Sequence, residues 1–250
     1  MPRFFLGAPV TDPNELVLVG DDARHIALSL RMAKGQTVIV SGNDGMEYEC
    51  ELTDIKPERV TLKVLSSSEN ITEMPCRVTL YVALPKGDKL DLIIQKATEL
   101  GVYRIVPFVS ERCVARPDEA SKEKKRARRC RIAEEAAKQC GRGVIPDVAH
   151  PLSYADAVSE AARADVSLFL YEGDGTEPLL PVLKRGLKPG TAVSVMTGSE
   201  GGFSPKETER AKDAGMTLCG LGKRILRCET APIYVLSAIA YETELNPDFK

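Results

Sequence analysis

Hydrophobic and polar positions alternate over short distances in the N-terminal part of the chain. Up to about residue 68, alternating runs cover residues 17–19, 37–41, 46–52 and 59–65, with the period of half-buried strands. The turn-forming residues 42–45 (Gly-Asn-Asp-Gly) separate two of these runs and predict a hairpin. This pattern predicts a small β-barrel.

After a polar segment at residues 66–75, strand and helix patterns alternate to the end of the chain. Strands are predicted at residues 78–84, 102–109, 144–148, 166–171 and 192–196. A helix capped by Asp88 is predicted to end at Gly101, a long polar helix to end at Gly141, and two further helices to begin at Pro205 and Ala231. The alternation predicts an α/β fold, and we expect two domains, at residues 1–70 and 71–250.

Residues 197–207 (Thr-Gly-Ser-Glu-Gly-Gly-Phe-Ser-Pro-Lys-Glu) combine three glycines with a strong helix start. Gly198, Gly201 and Gly202 permit positive φ angles and let the backbone approach a ligand closely. Residues 204–207 match a capping box with proline at the first helical position. Because ligands of open α/β sheets bind at strand ends, this segment predicts a small-molecule site.

Nucleotide phosphate is a poor candidate for the ligand of this loop. The glycine spacing matches neither a P-loop nor a dinucleotide fingerprint. Glu200 would also place a negative charge beside a bound phosphate. We expect a ligand that lacks phosphate or carries a positive charge, and a simple turn-capping role for Glu200 is equally open.

A second glycine-containing loop, residues 220–229, precedes an apolar helix at residues 231–240. Arg227 of this loop is a candidate for catalysis, and a structural ion pair with Glu229 is about as well supported. Apolar residues cover most of the helix circumference, so the helix must be buried in the core or against another subunit. A homodimer is therefore expected.

Composition narrows the class of protein further. Seven cysteines, an odd number without a Cys-x-x-Cys motif, indicate neither a disulfide framework nor a zinc site and favour an intracellular protein. No metal is expected. No apolar run approaches the roughly 18 residues of a membrane span, and the start of the chain is too short for a secretory signal. A cytoplasmic protein without a membrane partner is expected.

The two loops carry a specific family resemblance. Gly-x-Glu-Gly-Gly-Phe and Leu-Gly-x-Arg-Ile-Leu-Arg-x-Glu-Thr-Ala resemble the RsmE family of 16S ribosomal RNA uridine N3-methyltransferases, in the SPOUT superfamily. Matches at residues 85–89, 95–101, 110–112 and 139–142 extend the resemblance over nearly the whole chain. It implies an α/β fold with a SPOUT-type, trefoil-knotted parallel-sheet domain and an N-terminal PUA-like β-barrel that binds RNA. The knot is implied by the resemblance alone, since threaded connections are exceptional among folds.

The resemblance also implies S-adenosyl-L-methionine as the cofactor, bound in a bent shape by three loops. By position, the cofactor-binding residues are Leu170, Tyr171, Glu172, Met196, Thr197, Gly198, Gly201, Gly202, Leu221, Gly222, Ile225 and Leu226.

The charge distribution limits where RNA can bind. The formal net charge is only −2, so an RNA site must be a local basic patch. For most cations at residues 122–131 a solvated helix face is the favoured interpretation. Arg112 and Arg116 are better placed to reach the strand ends, and likeness to the PUA-like barrel favours phosphate contact for the basic residues of the barrel. The predicted RNA-binding residues are Arg3, Arg24, Arg31, Lys34, Lys86, Arg112 and Arg116.

Residues and resemblance together predict methylation of uridine N3 in the 16S ribosomal RNA of the small subunit. Arg227 is expected to stabilise negative charge on the uracil carbonyl oxygens, and Glu200 or Glu229 to accept the N3 proton. Because N3 lies on the Watson–Crick edge, the target uridine must be unpaired or swung out. Two alternatives stay open: a SPOUT methyltransferase for another RNA site, and a non-catalytic RNA-binding protein of ribosome assembly.

Overall fold

The computed structural model describes residues 1–6, 10, 12, 14–116 and 119–249. The chain divides into two compact units. The first comprises Met1–Glu73 and Ala137–Ile145, and the second comprises Met74–Ala136 and Pro146–Lys250. In the part of the chain that the structure describes, no helix is long and apolar enough to cross a lipid bilayer.

The first unit is built on a sheet whose five described strands follow the order β1-β3-β4-β5-β2. The strands are β1 (Arg3–Phe5), β2 (Glu15–Val19), β3 (Thr37–Ser41), β4 (Met46–Lys56) and β5 (Arg59–Glu69). Strand β1 pairs with β3 in parallel, and the other ladders are antiparallel. Helix α1 (Gly20–Arg24) and a π-helical turn at His25–Ser29 connect β2 to β3.

The predicted hairpin between β3 and β4 is confirmed. The backbone N–H of Gly42 donates to the carbonyl of Met46 over 3.1 Å, and Asn43 adopts a left-handed conformation in the turn with φ 59°. Strands β4 and β5 both extend beyond the predicted runs, and their ladder contains two register shifts. Among the described pairings none joins β1 to β2, so a closed barrel stays a prediction.

The core of the first unit lies on one face of this sheet. Alternate residues of the strands, such as Leu16 and Leu18 of β2, are almost fully buried, as the period of two predicts. The segment at residues 137–145 is tied to the unit by Arg142, whose buried guanidinium lies 2.6 Å from the Glu73 carboxylate. Ser41 of β3 donates a hydrogen bond to the carbonyl of Gly143 over 2.6 Å.

The second unit is an α/β structure on a sheet whose described ladders are all parallel, in the order β11-β13-β10-β12-β6-β7-β8. Its strands are β6 (Arg77–Ala83), β7 (Arg104–Val109), β8 (Asp147–Val148), β9 (Leu152–Ser153), β10 (Val166–Leu170), β11 (Glu177–Pro178), β12 (Ala192–Thr197) and β13 (Thr217–Gly220). Strand β9 pairs with β7 beside β8. The predicted α/β class with a parallel sheet is confirmed.

Helices cover the faces of this sheet. They are α2 (Lys89–Glu99), α3 (Lys122–Cys140), α4 (Tyr154–Ala161), α5 (Leu179–Gly186), α6 (Pro205–Asp213) and α7 (Thr230–Ala240). The last turn of α3, from Ala137 onward, belongs to the first unit. Strand β12 is buried along nearly its whole length, which explains its continuous apolar and β-branched sequence.

Two predicted boundaries differ from the structure for local reasons. Strand β8 is shorter than the predicted run 144–148, because the N–H groups of Val144 and Ile145 donate to Glu73 and Asn43 side chains. Helix α2 begins directly after Asp88 as predicted, but the Asp88 side chain makes no capping hydrogen bond. The capping box at the start of α6 is confirmed in full.

Candidate active site

A cavity of about 400 Å³ opens at the carboxyl ends of β10, β12 and β13. Three loops form it, one after each strand, which is where ligands of parallel sheets bind. The predicted cofactor-binding residues that line it are Leu170, Tyr171, Glu172, Thr197, Gly198, Gly202, Leu221, Gly222, Ile225 and Leu226. The structure therefore brings three separate sequence segments together around one space.

Met196 and Gly201 differ from this expectation. Neither lines the cavity. Met196 lies one residue before the end of β12 and is fully buried. Gly201 instead packs against Arg112, since a Cβ atom at Gly201 would lie 2.9 Å from the Cβ of Arg112. Met196 is thus a core residue of the strand.

The loop after β12 depends on its glycines. Gly202 has φ +63°, and a Cβ atom there would lie 2.9 Å from Oε1 of Glu172, which belongs to the loop after β10. The N–H of Gly202 donates to the carbonyl of Ser199 over 2.9 Å and closes a tight turn. Arg112 secures the turn from the outside, because its Nη1 donates to the carbonyl of Gly201 over 3.0 Å.

Phe203 anchors the same loop from below. Its side chain is 2% exposed, and its ring centroid lies 4.2 Å from that of Phe169 and 6.4 Å from that of Phe108. Buried aromatic contacts of this kind are strongly stabilising. Immediately after it, the buried Glu207 carboxylate of α6 accepts hydrogen bonds from the N–H groups of Ser204 and Glu111. The loop is therefore held between an aromatic cluster and a capped helix.

Lys89, the first residue of α2, joins the two candidate proton acceptors. Its Nζ lies 3.0 Å from Oε1 of Glu200 and 3.2 Å from Oε2 of Glu229. Hydrogen bonds to these carboxylates raise the pKa of Lys89. The residues of this bridge are all partly buried at the edge of the cavity. Sequence reasoning assigned no role to Lys89, although two acidic residues expected beside one cavity were a signal that a cation lies between them.

Both glutamates are ionised more readily than an ordinary glutamate. For Glu200, burial raises the pKa, but hydrogen bonds from its own N–H, from Lys89 and from the N–H of Lys86 outweigh it and lower the pKa. For Glu229, a hydrogen bond from its own N–H lowers the pKa, burial opposes this, and Cys228 and Lys89 lower it further. Both groups are therefore carboxylates at neutral pH, with reduced basicity.

Arg227 lies at the rim of the cavity with an exposed side chain. Its backbone carbonyl accepts hydrogen bonds from the N–H groups of Thr230 and Ala231, which fixes it at the start of α7. The alternative ion pair between Arg227 and Glu229 is absent from the ion pairs of the described residues, because the Glu229 carboxylate is taken by Lys89. The guanidinium is thus available to a ligand.

Cys228 lies beside these groups and is buried. Burial raises the pKa of its thiol, and the hydrogen bond that the thiol donates to Glu229 raises it further. At neutral pH this side chain is a thiol rather than a thiolate, so it is unsuited to nucleophilic attack.

The predicted RNA-binding residues lie in different environments. In the first unit, Arg3 is paired with Glu47 and Lys34 with Asp54, whereas Arg24 and Arg31 are exposed. Arg3 is largely buried by its pairing, so a structural role accounts for it.

In the second unit, the Lys86 side chain is exposed, while its N–H donates to Glu200 over 3.1 Å. Arg112 holds the glycine loop, as described above. Arg116 donates to the carbonyl of Ser110 over 3.3 Å and to that of Glu111 over 3.4 Å.

Further residues that line the cavity escaped the sequence reasoning. Phe203, Thr176 and Gly220 contribute to its wall together with Lys89. Thr176 lies in the stretch between β10 and β11, where the sequence offers no glycine motif of known spacing. Among the residues that the structure describes, no group of three or more His, Cys, Asp or Glu side chains is arranged to hold a metal ion.

Fold and cavity together define an RNA methyltransferase. The family model for an RNA methyltransferase domain matches residues 72–240, and that for an RNA methyltransferase PUA domain matches residues 18–65. The first matches most of the second unit and the second lies within the first unit. The N-terminal unit is therefore PUA-like.

Relatives with assigned names make the family specific. The chain is similar to ribosomal RNA small subunit methyltransferase E of Bacillus subtilis, with 37% identity over 98% of both chains. The protein of the same name from Synechocystis is 35% identical over 84% of this chain and 67% of its own. The chain belongs to the ribosomal RNA small subunit methyltransferase E family.

Solved structures agree with this. The methyltransferase E of Neisseria gonorrhoeae, bound to S-adenosyl methionine, has a TM-score of 0.87 and 29% identity, covering 97% of this chain and 98% of its own. A methyltransferase from Legionella pneumophila in complex with the same cofactor has a TM-score of 0.84 and 30% identity, covering 96% and 97%.

Proposed function

We propose that this protein transfers the methyl group of S-adenosyl-L-methionine to N3 of a uridine in the 16S ribosomal RNA of the small subunit. The observation that carries the proposal is the cavity formed by the three loops after β10, β12 and β13, with the unpaired Arg227 at its rim. A ribosomal substrate places the enzyme in the cytoplasm.

The residues of the cavity fit the cofactor. Leu170, Leu221 and Leu226 offer apolar surface for an adenine ring, and exposed backbone groups of the glycine loop offer hydrogen bonds. Glu172 and Glu200 supply negative charge, which suits a ligand with a sulfonium and an ammonium group. S-adenosyl-L-methionine supplies the electrophilic methyl group when it is bound.

The contribution of the protein to the reaction is electrostatic and positional. Loss of the N3 proton places negative charge on the uracil carbonyl oxygens, where the Arg227 guanidinium stabilises it. Glu200 or Glu229 accepts the proton directly or through water. Lys89 lowers the basicity of both carboxylates, so Arg227 makes the larger contribution. Alignment of donor and acceptor in a closed site contributes up to ~7–11 kcal/mol in favourable cases.

The finer features of the fold belong to the same proposal. We infer a trefoil knot in the second unit, since the three cavity loops are the segments that are knotted in the SPOUT superfamily. The domains are proposed at residues 1–70 and 71–250, and the division into compact units and the extents of the two family models support that boundary.

A homodimer is proposed from helix α7. Val235, Leu236 and Ile239 face the core, while Tyr234 on another face is 44% exposed beside Ile233 and Ala238 in a shallow apolar groove. A second copy of the chain would cover this groove. Light scattering at micromolar concentration tests this: a dimer mass is expected, and a monomer would contradict it.

The function is tested on RNA from cells with and without the gene. Nuclease digestion and mass spectrometry of 16S ribosomal RNA are expected to show 3-methyluridine only when the active protein is present. Unchanged 3-methyluridine in cells without the gene would contradict the ribosomal assignment and favour another RNA site. Purified protein that binds RNA but gives no saturable heat with S-adenosyl-L-methionine would favour the non-catalytic binding protein.

A further inference from the structure

A second cavity, of about 260 Å³, lies beside the first at the carboxyl ends of β6 and β7. We call it the basic pocket, because six cationic side chains line it: Arg116, Lys122, Lys125, Arg126, Arg128 and Arg129. Two carboxylates, Asp88 and Asp91, also contribute. Positive charge therefore dominates the walls.

One face of α3 supplies most of this charge. Residues 122, 125, 126 and 129 follow the spacing i, i+3, i+4, i+7, so they lie on the same side of the helix. Lys124 and Arg131 of the same helix are exposed and do not line the pocket. The cations of α3 are thus divided between a pocket face and a solvent face, where the sequence alone favoured a solvated helix.

Some of these side chains are held in place by protein atoms. Arg126 donates to the carbonyl of Val148 over 3.0 Å, and Arg128 lies 2.6 Å from the Asp91 carboxylate. These contacts fix the pocket wall before any ligand arrives.

Lys125 and Arg129 differ from them. Within the described residues, neither makes a hydrogen bond or an ion pair of its own. Arg129 is partly buried, and burial lowers its pKa, although the nearby Asp91 charge opposes this. A partly desolvated guanidinium without a partner is unfavourable, and an anion in the pocket would relieve that cost.

The location of the pocket indicates which anion it binds. Pro85, Gly87 and Asp88 of the loop after β6 line the basic pocket, and the Lys86 N–H of that loop bonds to Glu200 in the first cavity. In the sheet, β6 is the direct neighbour of β12, at a spacing of roughly 5 Å. A ligand that presents a base to the first cavity would carry its adjoining backbone toward the second.

We propose that the basic pocket binds a backbone phosphate of the substrate RNA, close to the target uridine. Guanidinium groups bind phosphate through paired hydrogen bonds, and the arginines of the wall present such groups. The inference rests on the proposed function in that it takes RNA as the substrate.

The test compares two double variants of α3 that remove equal charge. Lys125→Gln with Arg129→Gln removes the unpartnered cations of the pocket, and Lys124→Gln with Arg131→Gln removes two cations of the solvent face. Affinity for 16S ribosomal RNA is measured by filter binding across a salt series. The pocket variant is expected to bind more weakly and to lose about 1.4 from the slope of log K against log salt, at ~0.7 per lost contact to single-stranded RNA. The solvent-face variant is expected to keep the wild-type slope.

Equal losses in the two variants, or an unchanged slope in the pocket variant, would overturn the inference, as would absence of RNA binding by the wild type. The single variant Lys125→Gln, at an exposed position, is expected to lose about 0.7 and guards against misfolding of the double variant. Methyl transfer by the wild type is measured in parallel. RNA binding that depends on the pocket without methyl transfer would contradict the proposed function alone, and methyl transfer with an unchanged slope would contradict this inference alone.

Discussion

The Nζ atom of Lys89 lies 3.0 Å from Oε1 of Glu200 and so joins the first residue of α2 to the glycine loop after β12. The same ammonium reaches Glu229, the residue before α7. One cation thus links three segments of the cavity wall that are far apart in the sequence. Since the two carboxylates would otherwise repel each other, the bridge is what allows both to stay ionised side by side.

Lys89→Met is expected to destabilise the protein in a pH-dependent way. The pKa values of Glu200 and Glu229 are lowered in the folded state, so their contribution is present at neutral pH and lost as the pH falls below the ordinary value of 4.5 and through the lowered values. The difference in Tm between wild type and variant should therefore be largest near pH 7 and shrink in acid. Lys96→Met, which removes the exposed pair with Glu99 on the same helix, is the matched control. A Tm difference independent of pH would contradict this account.

Gly202→Ala is expected to weaken cofactor binding by about tenfold or more, equivalent to ~1.4 kcal/mol. The left-handed backbone disfavours alanine, and the new Cβ would press on Glu172 in the neighbouring loop. Gly215→Ala is the control, because Gly215 has φ +89° with open space around it. Both variants should lose about 1–2 kcal/mol of stability from the backbone. Calorimetry with S-adenosyl-L-methionine should show weaker binding only for Gly202→Ala.

Arg227→Gln is expected to reduce kcat by about 100- to 1,000-fold, the usual effect of losing a group that stabilises developing negative charge. Affinity for S-adenosyl-L-methionine should change little, since the role of Arg227 concerns the uracil. Arg224→Gln, another exposed arginine at the cavity, is the comparison and should retain most activity. Steady-state kinetics with labelled cofactor measure this, and equal losses in the two variants would argue against a specific role for Arg227.

Phe203→Ala is expected to lower the free energy of unfolding by ~3–5 kcal/mol, because it leaves a cavity between Phe169 and Phe108. Phe203→Leu fills much of the space and should cost less. Urea denaturation of the two variants measures the difference. Similar, small losses in both would show that the aromatic cluster does not anchor the loop.

What the sequence predicts well is local. The capping box at Ser204 and the hairpin turn at residues 42–45 involve neighbours in the chain, so their patterns specify them directly. The alternation of strands and helices likewise predicts the α/β class. The glycine loops could be assigned to one cavity because parallel strands bring their carboxyl ends to the same edge.

What the sequence misses depends on pairings made across the fold. Glu229 is next in sequence to Arg227's neighbour, yet it pairs with Lys89 from a distant helix. Met196 belongs to the matching motif but is enclosed by the sheet, because the strand continues one residue further to Thr197. The division of α3 into a pocket face and a solvent face depends on which strands the helix covers, and a periodic run of cations does not specify that.

A crystal structure of the protein with S-adenosyl-L-methionine is the most direct test of the proposed site. The account predicts the cofactor within the three loops that follow β10, β12 and β13, with its methyl carbon on the side of Arg227. Cofactor bound in another part of the molecule, with these loops empty, would contradict it.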